Sequence, residues 1–132
     1  MRLATLFLAF LGLTGCASTP YFYTWGGKGE IHWHDNTKWC LPGKLKRALR
    51  RTAHHYGDVH VHSTFRSPWY NRRIGGARKS LHKKCKAVDF SVKGASMRDV
   101  YAFVQRQPGV GGRKLYPGGR HIHIDTGPRR TW

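Results

Sequence analysis

Apolar and polar residues alternate along three short runs of the chain, and each run predicts a strand. The runs are DVHVHSTF from Asp58, KAVDFSV from Lys86 and HIHID from His121. In the last of these the alternation sets His121, His123 and Asp125 on one face. A different period governs KLKRALRRTAHHYG, where Leu45, Ala48, Leu49 and Thr52 or Ala53 recur at helical spacing and Gly57 ends the helix. A second helix is predicted where Ser96 caps MRDVYAFVQRQ, with Val100, Phe103 and Val104 as its buried stripe and Pro108-Gly109 as its stop. Residues 17–36 have no helical period and read as a tether followed by an irregular or short extended segment, in which His32 and His34 alternate with Ile31 and Trp33. The stretch after Arg66-Ser67-Pro68 reads as a structured loop, since Gly75-Gly76 breaks any helix begun at Trp69. GVGGRKLYPGG is too glycine-rich to predict regular structure.

The chain has 132 residues, one domain's length. Its 24 Lys plus Arg stand against 6 Asp plus Glu, a net charge of +18, so the surface is strongly cationic and implies an anionic partner. The basic residues are scattered, and no zinc-finger, RNA-recognition or basic-zipper pattern accompanies them, so nucleic acid is not the expected partner. Lys44, Lys46, Arg47, Arg50 and Arg51 form a solvated face of the first helix, and His54 and His55 sit in its last turn, where the helix dipole favours cations. The amino terminus reads MRLATLFLAFLGLTGC, an apolar run too short to span a bilayer comfortably and of signal-peptide length. Its last four residues resemble the lipobox of bacterial lipoproteins, which implies cleavage before Cys16 and lipidation of its sulfur; an ordinary cut near Ala17 or Ser18 is the alternative. Either route leads out of the cytoplasm, and Ser18 resembles the outer-membrane-directing pattern. Cys40 and Cys85 remain as an even pair, and in an exported chain such a pair predicts a disulfide, closing a loop of about 45 residues and contributing roughly 3 to 4 kcal/mol. Cys85 as a metal ligand beside His82 is the competing reading, which leaves Cys40 without a partner.

The candidate chemistry lies in SLHKKCKAVD, from Ser80, and in HIHID. His82, Asp89 and the His121/His123 pair offer the nitrogen and oxygen donors that a catalytic zinc accepts, and three protein ligands leave one position for water. A loop bearing His82, folded back on a strand bearing Asp89, brings both to one ion.

These residues resemble the bacterial zinc peptidases of peptidoglycan, a family that includes D-Ala-D-Ala carboxypeptidases, D,D-dipeptidases and murein endopeptidases, and within it the YcbK-like branch. The resemblance covers Thr64 to Trp132, through FRSPWYNRRIGGARKSLH, KAVDF and HIHIDTGPRRTW. The family motif S-x-H-x-x-G-x-A-x-D, with a distant histidine, is matched by Ser80, His82, Ala87, Asp89 and His123, which implies His82, Asp89 and His123 as zinc ligands. Cys85 replaces the motif's glycine and with it the positive-φ freedom of that turn. Arg66 matches the arginine thought to polarise the scissile carbonyl. The family's general-base glutamate, three residues before the last ligand, is Arg120 here. That leaves His121 as a substitute base, with Asp125 either a second candidate or a carboxylate that orients a ligand histidine.

Taken together these features predict an exported, lipid-anchored α+β monomer of the hedgehog/DD-peptidase type, a small antiparallel sheet with two or three helices. Its expected parts are a leader at 1–16, a tether at 17–36 and a zinc peptidase-like domain at 37–132. The expected activity is hydrolysis of a peptide bond in peptidoglycan stem peptides or cross-links, in the periplasm or cell envelope. A wall-binding module that does not cut is the rival.

Overall fold

The computed structural model describes residues 29–34 and 37–132. The expected leader, Cys16 and most of the expected tether lie outside the described residues. Six strands and three α-helices follow in the order β1 (Ile31–Trp33), α1 (Gly43–Tyr56), β2 (Val59–Ser63), α2 (Pro68–Arg73), β3 (Ala87–Val92), α3 (Met97–Val104), β4 (Gly112–Leu115), β5 (Ile122–Asp125) and β6 (Arg130–Thr131). They form one sheet ordered β1-β2-β3-β5-β4-β6. The α+β class is the predicted one. The central pairings β2-β3, β3-β5 and β5-β4 are antiparallel, whereas β1-β2 and β4-β6 at the two margins are parallel, which makes the sheet mixed. The parallel pairing of β1 and β2 follows from the helix between them, because a strand-helix-strand crossover returns the chain in its original direction.

Strand β1 falls within the span read as tether. It pairs Ile31 to Trp33 with Val59 to Val61, so the folded unit reaches upstream of residue 37. The alternation of Ile31 and Trp33 with His32 is the short extended segment expected there. Two further segments are more regular than the sequence suggested. Pro68 to Arg73 is a short helix because Ser67 caps it, its hydroxyl accepting from the Tyr70 amide at 3.1 Å, and because proline is preset for a first turn. Gly112 to Leu115 is a strand despite its glycines. A Cβ on Gly112 would land on the Asp125 carboxylate and one on Gly111 on the Gly127 carbonyl, so these glycines admit close neighbours within the sheet.

The core lies on one face of the sheet. Leu45, Ala48, Leu49 and Ala53 of α1, with Val100 and Val104 of α3, cover Val59, Val61, Val88, Phe90, Ile122 and Ile124. Alternation then commits the intervening residues of β3 and β5, Asp89 and His123 among them, to the opposite face. That face carries the site.

Candidate metal centre

Asp89 and His123 are register partners across β3 and β5, so the sheet itself brings one carboxylate and one imidazole side by side. His82 reaches them from a 3-10 turn, Leu81–Lys84, that folds over the end of β3. Ser80 starts this turn, its hydroxyl accepting from the His82 amide at 3.3 Å. Cys85 ends it in the left-handed region at φ 52°, where its amide donates to the His82 carbonyl. This is the position at which the motif carries glycine, and among the described residues Cys85 is the one non-glycine with positive φ. A disulfide joins it to Cys40, with Cα atoms 5.9 Å apart.

Three donor atoms converge. His82 Nε2 lies 3.3 Å from Asp89 Oδ1 and 3.2 Å from His123 Nδ1, and His123 Nδ1 lies 2.8 Å from Asp89 Oδ1. An ion bound tetrahedrally at roughly 2.0–2.1 Å would set its donors about 3.3 Å apart. The outer nitrogens explain why the inner ones point inward as donors to a cation. His82 Nδ1 faces the Thr64 carbonyl at 2.6 Å, and His123 Nε2 faces Asp125 Oδ2 at 3.1 Å. Both partners only accept, so in neutral rings the protons sit on these outer nitrogens and the lone pairs of His82 Nε2 and His123 Nδ1 aim at the Asp89 carboxylate. Three buried lone-pair donors facing one point are mutually repulsive unless positive charge lies between them, and so the residues present fit a divalent cation.

The charges around this point are arranged to the same end. Burial pushes the Asp89 carboxyl up, but whenever an inner ring nitrogen bears a proton its hydrogen bond to Asp89, that of His123 first and then that of His82, outweighs burial and holds the group far below the usual carboxylate range. The second oxygen of Asp89 is taken by the Arg66 guanidinium, whose Nε donates to Ser63 Oγ at 2.9 Å. Asp125 is fully buried and fully used. It accepts from the amides of Gly112 at 3.0 Å and Gly127 at 2.8 Å, from Arg130 Nη2 at 2.7 Å and from His123. Burial would raise its carboxyl, but these bonds, that of His123 foremost, keep it at about 2.

Residues 30–125 match the model of the peptidase M15 family. The chain belongs to that family. This M15 chain is 41% identical over 63 residues to the peptidoglycan L,D-endopeptidase MepK of Escherichia coli strain K12, an alignment covering 46% of the chain and 33% of the relative. It is 43% identical over 60 residues to the probable peptidoglycan L,D-endopeptidase MepK of Haemophilus influenzae, covering 44% of the chain and 31% of the relative. The chain thus spans about a third of the length of these curated relatives.

In the M15 chain the centre lies on the wall of a cleft that His121 also lines. Burial lowers the His121 ring below its ordinary value, with Arg66 and Arg120 adding to the effect against the pull of Asp89. Its ring packs 4.0 Å from that of Tyr116 and 6.0 Å from that of His62. His62 belongs to a strip of imidazoles on β2, β1 and the residue after β1, in which His32 stacks on His60 at 4.7 Å and His34 on His62 at 5.7 Å. These rings stand outside the group that converges on Asp89. His54 and His55 lie exposed on α1, away from that group.

Sequence reasoning brought Arg66, His82, Asp89, His121, His123 and Asp125 forward, and the fold gathers all six around one cleft. It passed over Arg130, Tyr116 and the Thr64 carbonyl. Arg130 and Tyr116 lie in stretches without periodicity. A backbone carbonyl carries no sequence signal at all.

Proposed function

We propose that this M15 chain is an exported, zinc-dependent peptidase that hydrolyses a peptide bond in the stem peptides or cross-links of peptidoglycan. The observation that carries the reading is the convergence of His82 Nε2, Asp89 Oδ1 and His123 Nδ1 on the wall of an open cleft, with both outer ring nitrogens tied to acceptors. Nitrogen and oxygen donors in threes are the ligand set of catalytic zinc. The family, and relatives named as peptidoglycan endopeptidases, support the reaction class. A zinc ion held there supplies a Lewis acid that polarises a carbonyl and acidifies water.

The chain's own residues take the remaining roles. His121, whose neutral form burial favours, accepts the proton of the attacking water. Asp125 has no oxygen free to do so and instead holds His123 in place. Arg66 keeps Asp89 turned toward the two rings and presents its guanidinium along the cleft, where negative charge grows on the scissile carbonyl oxygen. One chain supplies every group, in keeping with a monomer. Export through the leader, lipidation at Cys16 and anchoring to the outer membrane would put the enzyme beside an anionic wall that its +18 charge favours.

The test is zinc stoichiometry and release of peptides from purified muropeptides, measured on wild type, His82→Ala and His123→Ala, with circular dichroism as a folding control. Wild type should bind one zinc and release product only when loaded, and both variants should fold yet do neither. Unchanged zinc content in both variants would refute the ligand set. Full loading with wall binding but no product would establish the non-cutting module, a reading favoured by Arg120 at the position where the family's base is expected.

A further inference from the structure

The outward face of α1 concentrates positive charge in a way that works against the helix itself. Arg47, Arg50, Arg51 and His54 recur at i, i+3, i+4 and i+7 and so share one exposed face, flanked by Lys44 and Lys46. Arg47 stands at like-charge spacing from Arg50 and Arg51, and Lys46 from Arg50, so neighbours on this face repel one another. Lys44 and Lys46 occupy the first turn, the end at which the helix dipole favours anions, and no acid stands there. The fold does not offset this. Asp89 and Asp125 belong to the centre, Asp99 opens α3, and Glu30 and Asp58 lie beyond the last turn of α1, the Glu30 amide donating to Asp58 Oδ1 at 3.0 Å. The partners that the face does have are neutral: Arg51 Nη1 donates to Gln107 Oε1 at 3.1 Å, and Lys46 Nζ to the Trp39 carbonyl at 3.4 Å.

Two placements set α1 apart from the other basic run, Arg72, Arg73, Arg78 and Lys79. That run follows the cleft residues Tyr70 and Ile74 along α2 and its loop, and Lys79 lines the cleft itself. Helix α1 lies across the sheet from the centre, because its apolar side covers the core face. The chain also enters the fold against α1. The Gly29 amide donates to the Ala53 carbonyl at 3.3 Å, and the missing Cβ of Gly29 makes room for the Gly57 backbone. Gly29 follows Cys16 by 13 positions, a span of at most about 45 Å, so a lipid on Cys16 keeps this side of the domain within reach of the bilayer.

We propose that the outward face of α1 docks on a bilayer surface of anionic phospholipid headgroups, so that the sheet stands between the lipid and the centre and the cleft opens away from the membrane. Arginine suits such a surface, since its guanidinium pairs with phosphate oxygens two at a time. Docking is a property beyond the peptidase reading; its use, presenting the cleft to the wall, rests on that reading.

The experiment measures partitioning of the zinc-loaded full chain onto phosphatidylcholine vesicles with and without phosphatidylglycerol, at physiological salt. The ratio of the two partition constants cancels what the apolar leader contributes to both. Each Lys or Arg near an anionic surface adds roughly fivefold, so Arg50→Gln should lower the wild-type ratio by about fivefold and Arg47→Gln/Arg50→Gln/Arg51→Gln by about 100-fold. Arg47→Lys/Arg50→Lys/Arg51→Lys should keep most of it, and the charge-matched Arg72→Gln/Arg73→Gln/Arg78→Gln should lose less than about fivefold, with circular dichroism as the folding check on all. No anionic preference in wild type, or equal losses in the two Gln triples, would overturn the docking face. So would an α1 triple that keeps its vesicle preference but no longer binds purified sacculi, a result that gives the face to the wall. Muropeptide hydrolysis without vesicles should be the same in wild type and the α1 triple; hydrolysis by neither would overturn the peptidase reading, while the vesicles decide the docking face on their own.

Discussion

The turn that carries His82 is held by a residue that the local backbone disfavours. Cys85 sits at φ 52°, ψ 34°, where a side chain costs about 1–2 kcal/mol relative to the right-handed form. Glycine escapes that cost but forfeits about 0.5–1 kcal/mol through its freer unfolded chain, so glycine should exceed alanine here by about 1 kcal/mol. What cysteine adds is the bridge to Cys40, 45 residues away, which by loop entropy contributes about 4 kcal/mol. The bridge thus outweighs the strain several-fold, and the two effects are separable. Urea unfolding of oxidised wild type, Cys40→Ser, Cys40→Ser/Cys85→Ala and Cys40→Ser/Cys85→Gly, all at one fixed zinc concentration, measures both. Wild type should exceed Cys40→Ser by about 4 kcal/mol. Among the variants lacking the bridge, the glycine protein should be more stable than the alanine one by about 1 kcal/mol. Equal stabilities in that pair, or alanine ahead, would refute the claim that the left-handed backbone costs anything. A loss under about 1 kcal/mol on cutting the bridge would refute the entropic estimate.

Two further outcomes follow from Asp125. Asp125→Asn removes the charge that holds His123 Nε2, and zinc affinity measured by chelator competition should fall about 10- to 100-fold with the fold intact by circular dichroism. The carboxyl is held at about 2, below its ordinary 3.8, so it contributes stability that is complete above pH 4 and is lost as pH falls toward 2; chelator-treated wild type should therefore lose more stability between pH 4 and pH 2 than Asp125→Asn does.

Much of this centre was legible because its residues obey period-two alternation. Asp89 and His123 share a face by that rule, and the match of Ser80, His82 and Asp89 to a known spacing supplied the third donor. The turn between His82 and Asp89 was legible only in part: Cys85 in place of the motif's glycine marked it as altered without giving its geometry, and the even pair of cysteines named Cys40 as the disulfide partner. What escaped did so for physical reasons. The strand at Gly112 was hidden because glycine usually marks irregular backbone, whereas here it makes room for the Asp125 carboxylate. Strand β1 was legible as a short extended segment from the alternation of Ile31 and Trp33 with His32 and His34, but its pairing is decided by β2 and not by its own three residues. The helix at Pro68 was hidden because Gly75-Gly76 bounds it closely, and Ser67 suffices to start a helix of six residues. Arg130 approaches Asp125 only once β6 has been laid beside β4.

Strand β5 packs two lives into four residues, Ile122 and Ile124 for the core, His123 and Asp125 for the chemistry. Inserting or deleting a single residue within it would trade the sets beyond that point, driving an imidazole or a carboxylate in among the valines and putting isoleucine where a donor belongs. Such a chain forfeits its shape together with its activity, so evolution has no folded but idle slip product to pass through. Length changes in descendants of this protein are thus confined to the stretches outside β3 and β5.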